Sequence, residues 1–284
     1  MSTGIVFHAI AAIIYLGLTT VLWGMLQAGK PMETPERVAR WVLLLALVAQ
    51  AVGLDALVLA GGNLHLSWLL ALSVAVWLGL VVFWLESLIV KIDGLLLILL
   101  PIAGMVTLFT AIFPGSHLIT SAAESALRGH LLLALGAYGL ITIAAVQSVL
   151  MAALDHHLHH PQGVVDNAGA LKRAIGRVLD AQPPLLTQER LLFRIIWIAF
   201  GALTLAIISG GLISLATTGN WLPFDHKTVF TVLSWLTFGM LLLGRHLWGW
   251  RGRIALRYTL VGFVFVLLSY TGSRFVIEVL LNQG

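Results

Sequence analysis

The sequence predicts an all-α polytopic membrane protein, a bundle of eight transmembrane helices with both termini on the outer face of the membrane. Three observations predict it. Of the 284 residues, 60% are hydrophobic and only 10% charged, against roughly 25% charged in ordinary soluble domains. The apolar residues gather into eight runs, each close to the ~20 residues that a helix needs to cross a bilayer. The basic residues crowd the connections on one side, as Lys and Arg do in the cytoplasmic loops of membrane chains.

The runs lie near residues 5–26, 38–60, 66–86, 94–114, 129–153, 192–216, 227–246 and 255–280, punctuated by Gly, Pro, Asn and charges. The first contains His8 and lacks a basic start and a small-residue cleavage site, so it is expected to be a retained helix and not a signal peptide. Alternation across the bilayer then assigns each connection to a face. Those after runs 1, 3, 5 and 7 hold thirteen of the sixteen basic residues: Lys30, Arg37, Arg40, Lys91, Lys172, Arg173, Arg177, Arg190, Arg194, Arg245, Arg251, Arg253 and Arg257. The opposite face has Arg128, Lys227 and Arg274. The positive-inside rule puts that poorer face, and both termini, outside. The net charge of +4 thus reflects topology. It points to the lipid bilayer as partner and gives no reason to expect nucleic acid.

The chain reads as a single transmembrane domain over 1–284, with one connection, 155–190, long enough for structure of its own. There Leu171, Ile175, Val178 and Leu179 recur at helical spacing opposite Lys172, Arg173 and Arg177. This predicts a short basic amphipathic helix lying on the inner leaflet. Pro183 and Pro184 end it, and Thr187 with Glu189 marks the start of helix 6.

Cysteine is absent, which excludes thiol redox chemistry, iron–sulfur clusters and covalent haem attachment through C-x-x-C-H. A metal or haem would have to be held mainly by the ten histidines. His8, His65, His117, His130 and His226 fall at outer helix ends, the first three as single interfacial residues. In "WLPFDHKTVF" Asp225 is the expected N-cap of helix 7 and His226 lies in its first turn. His130, in "LRGHLLLALGAY", holds the matching place on helix 5, which runs in the same direction. Two readings stay open for this pair: interfacial residues at helix starts, or axial ligands gripping a haem iron from both sides.

His246, in "GRHLWGWRGR", is about 20 residues, roughly 30 Å, along helix 7 from His226, so one haem cannot touch both. It is either part of an interfacial anchor with Arg245, Trp248, Trp250 and Arg251 or the ligand of an inner site. In "DHHLHHP", His156, His159 and His160 would share a helical face as a metal patch, unless the tract is a solvated loop. Inside the spans, Gln50 either bonds across to another helix or lines a cofactor pocket. Gly201, Gly210 and Gly211 allow close helix contact or the approach of a flat ring, with close packing the expected use. No nucleophile or acid–base pair stands out, and none of these patterns predicts an enzyme.

Four segments carry a family resemblance: "GHLLLALGAYGLITIAA", "PPLLTQERLLFR", "DHKTVFTVLSWL" and "GWRGRIALRYTLVGFVFVLLSYTGSRFV". With them the chain resembles the YpjD-type (HemX-like) proteins of the bacterial inner membrane, within the cytochrome c assembly superfamily of CcsA and CcmC. The resemblance implies an eight-helix fold and non-covalent haem b. It places His130 where the superfamily has an external haem ligand. It also places Trp221 and Asp225 where the superfamily has a tryptophan-rich haem-presenting motif, and His246 where CcsA-type proteins have an intramembrane histidine. Most tryptophans of that motif are missing, and no histidine follows His246 to match a second external ligand, so His226 stands as its substitute. Gln50 takes the place of a histidine found in many YpjD-type sequences. The expected function is haem binding or handling in cytochrome c assembly or haem homeostasis, with maturation proteins or another membrane protein as partner. The alternative is a cofactor-free scaffold or regulator acting through its basic cytoplasmic loop.

Overall fold

In a bilayer no water can satisfy a backbone N–H or C=O, so an apolar run closes its hydrogen bonds internally as a helix. The computed structural model describes residues 3–28, 35–58, 65–88, 93–113, 117–118, 125–159, 176–180, 182–221 and 225–275. The long helices are α1 (Thr3–Gln27), α2 (Pro35–Val58), α3 (Trp68–Ser87), α4 (Asp93–Ile112), α5 (Ser125–His159), α6 (Leu185–Thr218), α7 (His226–Trp248) and α8 (Arg253–Phe275). A two-stranded antiparallel ladder of β1 (His65–Leu66) and β2 (His117–Leu118) pairs His65 with Leu118 and Leu66 with His117.

Seven helices among the described residues, α1 to α7, are long and apolar enough to cross a membrane, against the eight expected. The exception, α8, carries Arg253 and Arg257 in its first turns, and residues 276–280 of its apolar run lie outside the described residues. Helices α5 and α6 exceed the expected 129–153 and 192–216, reaching 35 and 34 residues. Nothing between Met151 and His159 breaks a helix, and Pro184 allows α6 to begin at the next residue. Of the amphipathic helix expected in 155–190, residues 176–180 are helical; the rest of that expectation, from 167 to 175, lies outside the described residues, as does His160.

The chain divides into two compact units, Met1–Ala123 with Leu150–Gln188, and Glu124–Val149 with Glu189–Gly284. In the first, α1 packs on α2 and α4, and α3 on both α2 and α4. On α2, Val38, Trp41, Leu45, Val48 and Val52 are exposed, as suits a lipid-facing stripe. Its buried face adds the small Ala39, Ala46 and Ala49 and the polar Gln50, the residues that bring helices together in lipid. A Cβ on Gly4 would lie 2.5 Å from Leu57 Cγ, and one on Gly53 would run into the His8 ring, so α1 and α2 meet through these glycines.

Pro101 sits inside α4, and having no N–H it cannot bond the Leu97 carbonyl one turn back. The indole of Trp23, on α1, donates to that oxygen at 3.2 Å. Trp77 and Trp84 on α3 likewise donate to the carbonyls of Leu47 and Arg40 on α2, at 2.9 and 3.0 Å.

In the second unit α7 and α8 form an antiparallel pair. Gly262 of α8 lies under Phe238, where a Cβ would be 2.7 Å from the ring, and its carbonyl accepts from Ser234 Oγ at 2.9 Å. On α6, Phe200 stacks on Trp235 of α7 (5.6 Å, 18°), whose indole donates to Thr204 Oγ1 at 2.9 Å. Helix α7 ends at Gly249, φ +66°, a left-handed cap that glycine adopts without strain.

Candidate functional site

Helix α7 starts because Asp225, in extended conformation, accepts the Thr228 N–H on its carboxylate at 2.7 Å. That closes one of the four N–H groups that a helix start leaves open. His226 follows as the first helical residue, and both it and Lys227 are exposed.

His130 lies five residues into α5 and is half-buried. Its Nδ1 is 2.9 Å from Ser209 Oγ on α6. Ser209 sends its own hydroxyl proton to the Ala206 carbonyl at 3.2 Å, so its Oγ acts as acceptor of the His130 Nδ1–H. This assignment leaves Nε2 as the unprotonated nitrogen, the form in which imidazole binds a metal. The ring lies along Gly210, where a Cβ would be 2.9 Å from Cε1. One residue on, Gly211 receives the Trp221 indole, a Cβ there meeting its Cε2 at 2.9 Å. The expected use of these glycines was helix packing; what they admit is two flat rings side by side. Around Gly201 there is open space. Lys227 is close enough to His130 for its charge to act on the ring. Helix geometry thus gathers His130, Trp221 and Lys227 around the last turns of α6, with Asp225 and His226 adjoining Lys227 in sequence.

His246 is at the opposite end of α7 and is exposed. At this end Trp250 covers Gly244, stacks with Trp248 (5.8 Å) and lies tilted against Tyr258 (5.0 Å, 37°). Arg245 lies 3.5 Å above the Phe193 ring.

Gln50 is elsewhere, in the first unit, and both ends of its amide are engaged. Tyr15 donates to its Oε1 at 2.8 Å, and its Nε2 donates to Ser73 Oγ and O at 3.0 and 3.3 Å. Ser73 Oγ is in turn 3.4 Å from His8 Nε2, and His8 Nδ1 is 3.1 Å from the Gly4 carbonyl. All four side chains are fully buried. His8, expected as a single residue near a helix end, is thus packed inside the unit, its flat ring fitting where Gly53 leaves room.

Among the described residues no group of three or more His, Cys, Asp or Glu side chains could hold a metal ion. His156, His157 and His159 ride on the last turns of α5, and His157 Nε2 pairs with Asp180 at 3.1 Å. The side chains of His65 and His117 lie outside the described set.

A family model described as cytochrome C assembly protein matches residues 37–281. The chain belongs to that family. Over nearly its full length it is similar to the inner membrane protein YpjD of Escherichia coli strain K12, at 27% identity across 281 residues, 95% of this chain and 97% of the relative. Shorter matches reach cytochrome c biogenesis proteins named CcsA. The one from Gloeobacter violaceus is 31% identical over 98 residues, and the one from Chlorella vulgaris 35% identical over 96; each match covers 34% of this chain and 29% of the relative. No solved structure matches. With its apolar helices and its likeness to YpjD along the whole chain, this family member is a multi-pass inner-membrane protein. Gln50, His130, Trp221, Asp225, His226 and His246 all fall inside the matched region, whereas His8 and Tyr15 precede it.

Sequence reasoning singled out His130, Trp221 and Asp225 as candidates but not Ser209, the His130 partner, whose signal was its place beside two glycines in "ISGGL". It also missed the partners of Gln50. Tyr15 sits two turns along α1 from His8 and so on the same face, a spacing that could have revealed them.

Proposed function

We propose that the protein binds haem b non-covalently where the start of α5, the end of α6 and the start of α7 come together, and holds or hands on haem in cytochrome c assembly or haem homeostasis. The observation that carries this reading is His130: its Nδ1 is tied to Ser209, Nε2 is left for iron, and the ring lies on a glycine beside a second ring-bearing glycine. His130 and His226 would hold the haem iron through their imidazoles. Trp221 would face the porphyrin, Lys227 would answer the propionates, and Asp225 would fix the start of α7. The donor set fits such a group: two imidazoles, an aromatic face and a cation. The iron porphyrin itself would supply a bound, deliverable haem; the chain acts as a carrier and not as an enzyme. His246 is the candidate ligand of a separate site at the other end of α7, and Gln50 serves as a helix tie.

The same reading uses the excess of basic residues in alternate connections to set eight spans, with the termini and the His130 site outside. Family membership supports a role beside maturation proteins. The decisive experiment is the absorption spectrum and pyridine haemochrome of the protein purified in detergent from haem-replete cells. A Soret band of bis-histidine character is expected, lost in His130→Ala and in His226→Ala. Haem-free protein would end the proposal. It would leave the cofactor-free scaffold, which predicts that deleting residues 167–180 abolishes function while the histidines can be changed freely.

A further inference from the structure

The lipid-facing side of the α7–α8 pair is not flat. A groove of about 340 Å³ runs between the helices, its walls formed by residues that include Leu236, Met240 and Val261, with Thr237 along it and Arg257 and Tyr258 at one end. Leu236, Met240 and Val261 are each about half exposed, so the groove is open to the surrounding bilayer. Helix rise gives its depth. Tyr258 is five residues past the start of α8, about 7 Å from the α7–α8 turn, whereas Leu236 is twelve residues before the end of α7, about 18 Å from it. The groove thus runs from the membrane boundary into the hydrocarbon, with its cation and its phenol at the boundary end.

That end is also the most basic part of the second unit. Arg245, Arg251, Arg253 and Arg257 lie within thirteen residues of sequence that contain no acidic residue. Among the described residues Glu189 is the carboxylate that meets this turn, taking the Gly252 N–H at 3.4 Å and lying 3.9 Å from Arg251 Nε. No carboxylate among the described residues pairs with Arg257. Tyr258 is held by Trp250, ring to ring at 5.0 Å, so the polar end is built on a fixed aromatic support. A long apolar slot ending in an unneutralised guanidinium at headgroup depth complements one chemistry: an acyl chain carrying a phosphate diester at its head.

We infer that the α7–α8 groove is a specific site for one anionic phospholipid, its acyl chain along Leu236, Met240 and Val261 and its headgroup phosphate on Arg257 and Tyr258. The site is independent of the proposed His130–His226 haem site, and its polar end lies at the other end of α7 from His226. Native mass spectrometry of the purified full-length protein, titrated in detergent with phosphatidylglycerol or phosphatidylcholine, tests it. The expected result is one retained phosphatidylglycerol, held at least tenfold more strongly than phosphatidylcholine. Arg257→Gln should erase that preference, Arg257→Lys should keep most of it, and Met240→Trp, which fills the groove, should weaken both lipids. A circular dichroism spectrum matching wild type shows that each variant is folded. Equal retention of the two lipids, a preference that survives in Arg257→Gln, or displacement of the lipid by millimolar inorganic phosphate would each overturn the inference.

Discussion

The two rings on α6 show how much a single missing methyl group can decide. His130 and Trp221 lie on Gly210 and Gly211 at distances that a Cβ would occupy, so Gly210→Leu is expected to push the imidazole off its seat and off Ser209 while leaving α6 helical. The absorption spectrum of that variant should show haem occupancy at least tenfold below wild type; unchanged occupancy would disconnect the glycine from the site. Ser209→Ala is subtler, because it removes one hydrogen-bond partner of the His130 Nδ1 and leaves the ring's seat on Gly210 intact. Outer partners of this kind are worth roughly 10- to 100-fold in affinity at metal sites. The expected outcome is weaker haem retention with the bis-histidine spectrum preserved, and full retention would show that Ser209 merely packs. His130 and Asp225 were legible in the sequence because helix starts carry a local signature. Ser209, Tyr15 and Ser73 were not, because a hydroxyl inside an apolar run reads alike whether it bonds its own backbone, as Thr142 does to Tyr138, or a side chain on another helix.

Among the helices, the tie between Trp23 and Leu97 makes a prediction of its own. Pro101 strips the Leu97 carbonyl of its usual donor and Trp23 replaces it from α1, so Trp23→Phe leaves a buried acceptor unpaired at a cost of about 1–3 kcal/mol. Pro101→Ala gives the donor back from within α4. Equilibrium unfolding in mixed micelles should therefore show Trp23→Phe costing at least ~0.5 kcal/mol less in the Pro101→Ala background than in wild type; strict additivity would sink this account. Helix existence was readable from apolar runs alone, because in lipid the backbone has few alternatives. Helix ends were read less well. The excess length of α5 and α6 lies in polar or mixed stretches such as "DHHLH", where hydropathy stops reporting but the helix continues.

For the molecule as a whole, orientation is the property on which the functional reading turns, and the lack of cysteine makes it directly measurable. Single variants His226→Cys and Arg251→Cys carry a thiol at opposite ends of α7 with no background to subtract. A membrane-impermeant maleimide should label His226→Cys in intact spheroplasts and Arg251→Cys only after permeabilisation; the reverse pattern would invert the topology and put the His130 site in the cytoplasm. The count of basic residues is what predicts this topology, since charge bias acts on whole connections and needs no knowledge of packing. The division into two compact units was not legible, because it depends on which helices touch, and apolar surfaces facing lipid and facing protein look alike in sequence. The small ladder of β1 and β2 has a mechanical consequence. By clasping residues 65–66 to 117–118 it closes the chain on itself around α3 and α4. A force pulling those clasped points apart meets the ladder first, and only its rupture releases the enclosed chain, roughly 180 Å when fully extended. Under tension, α3 and α4 are hidden length behind a four-residue latch.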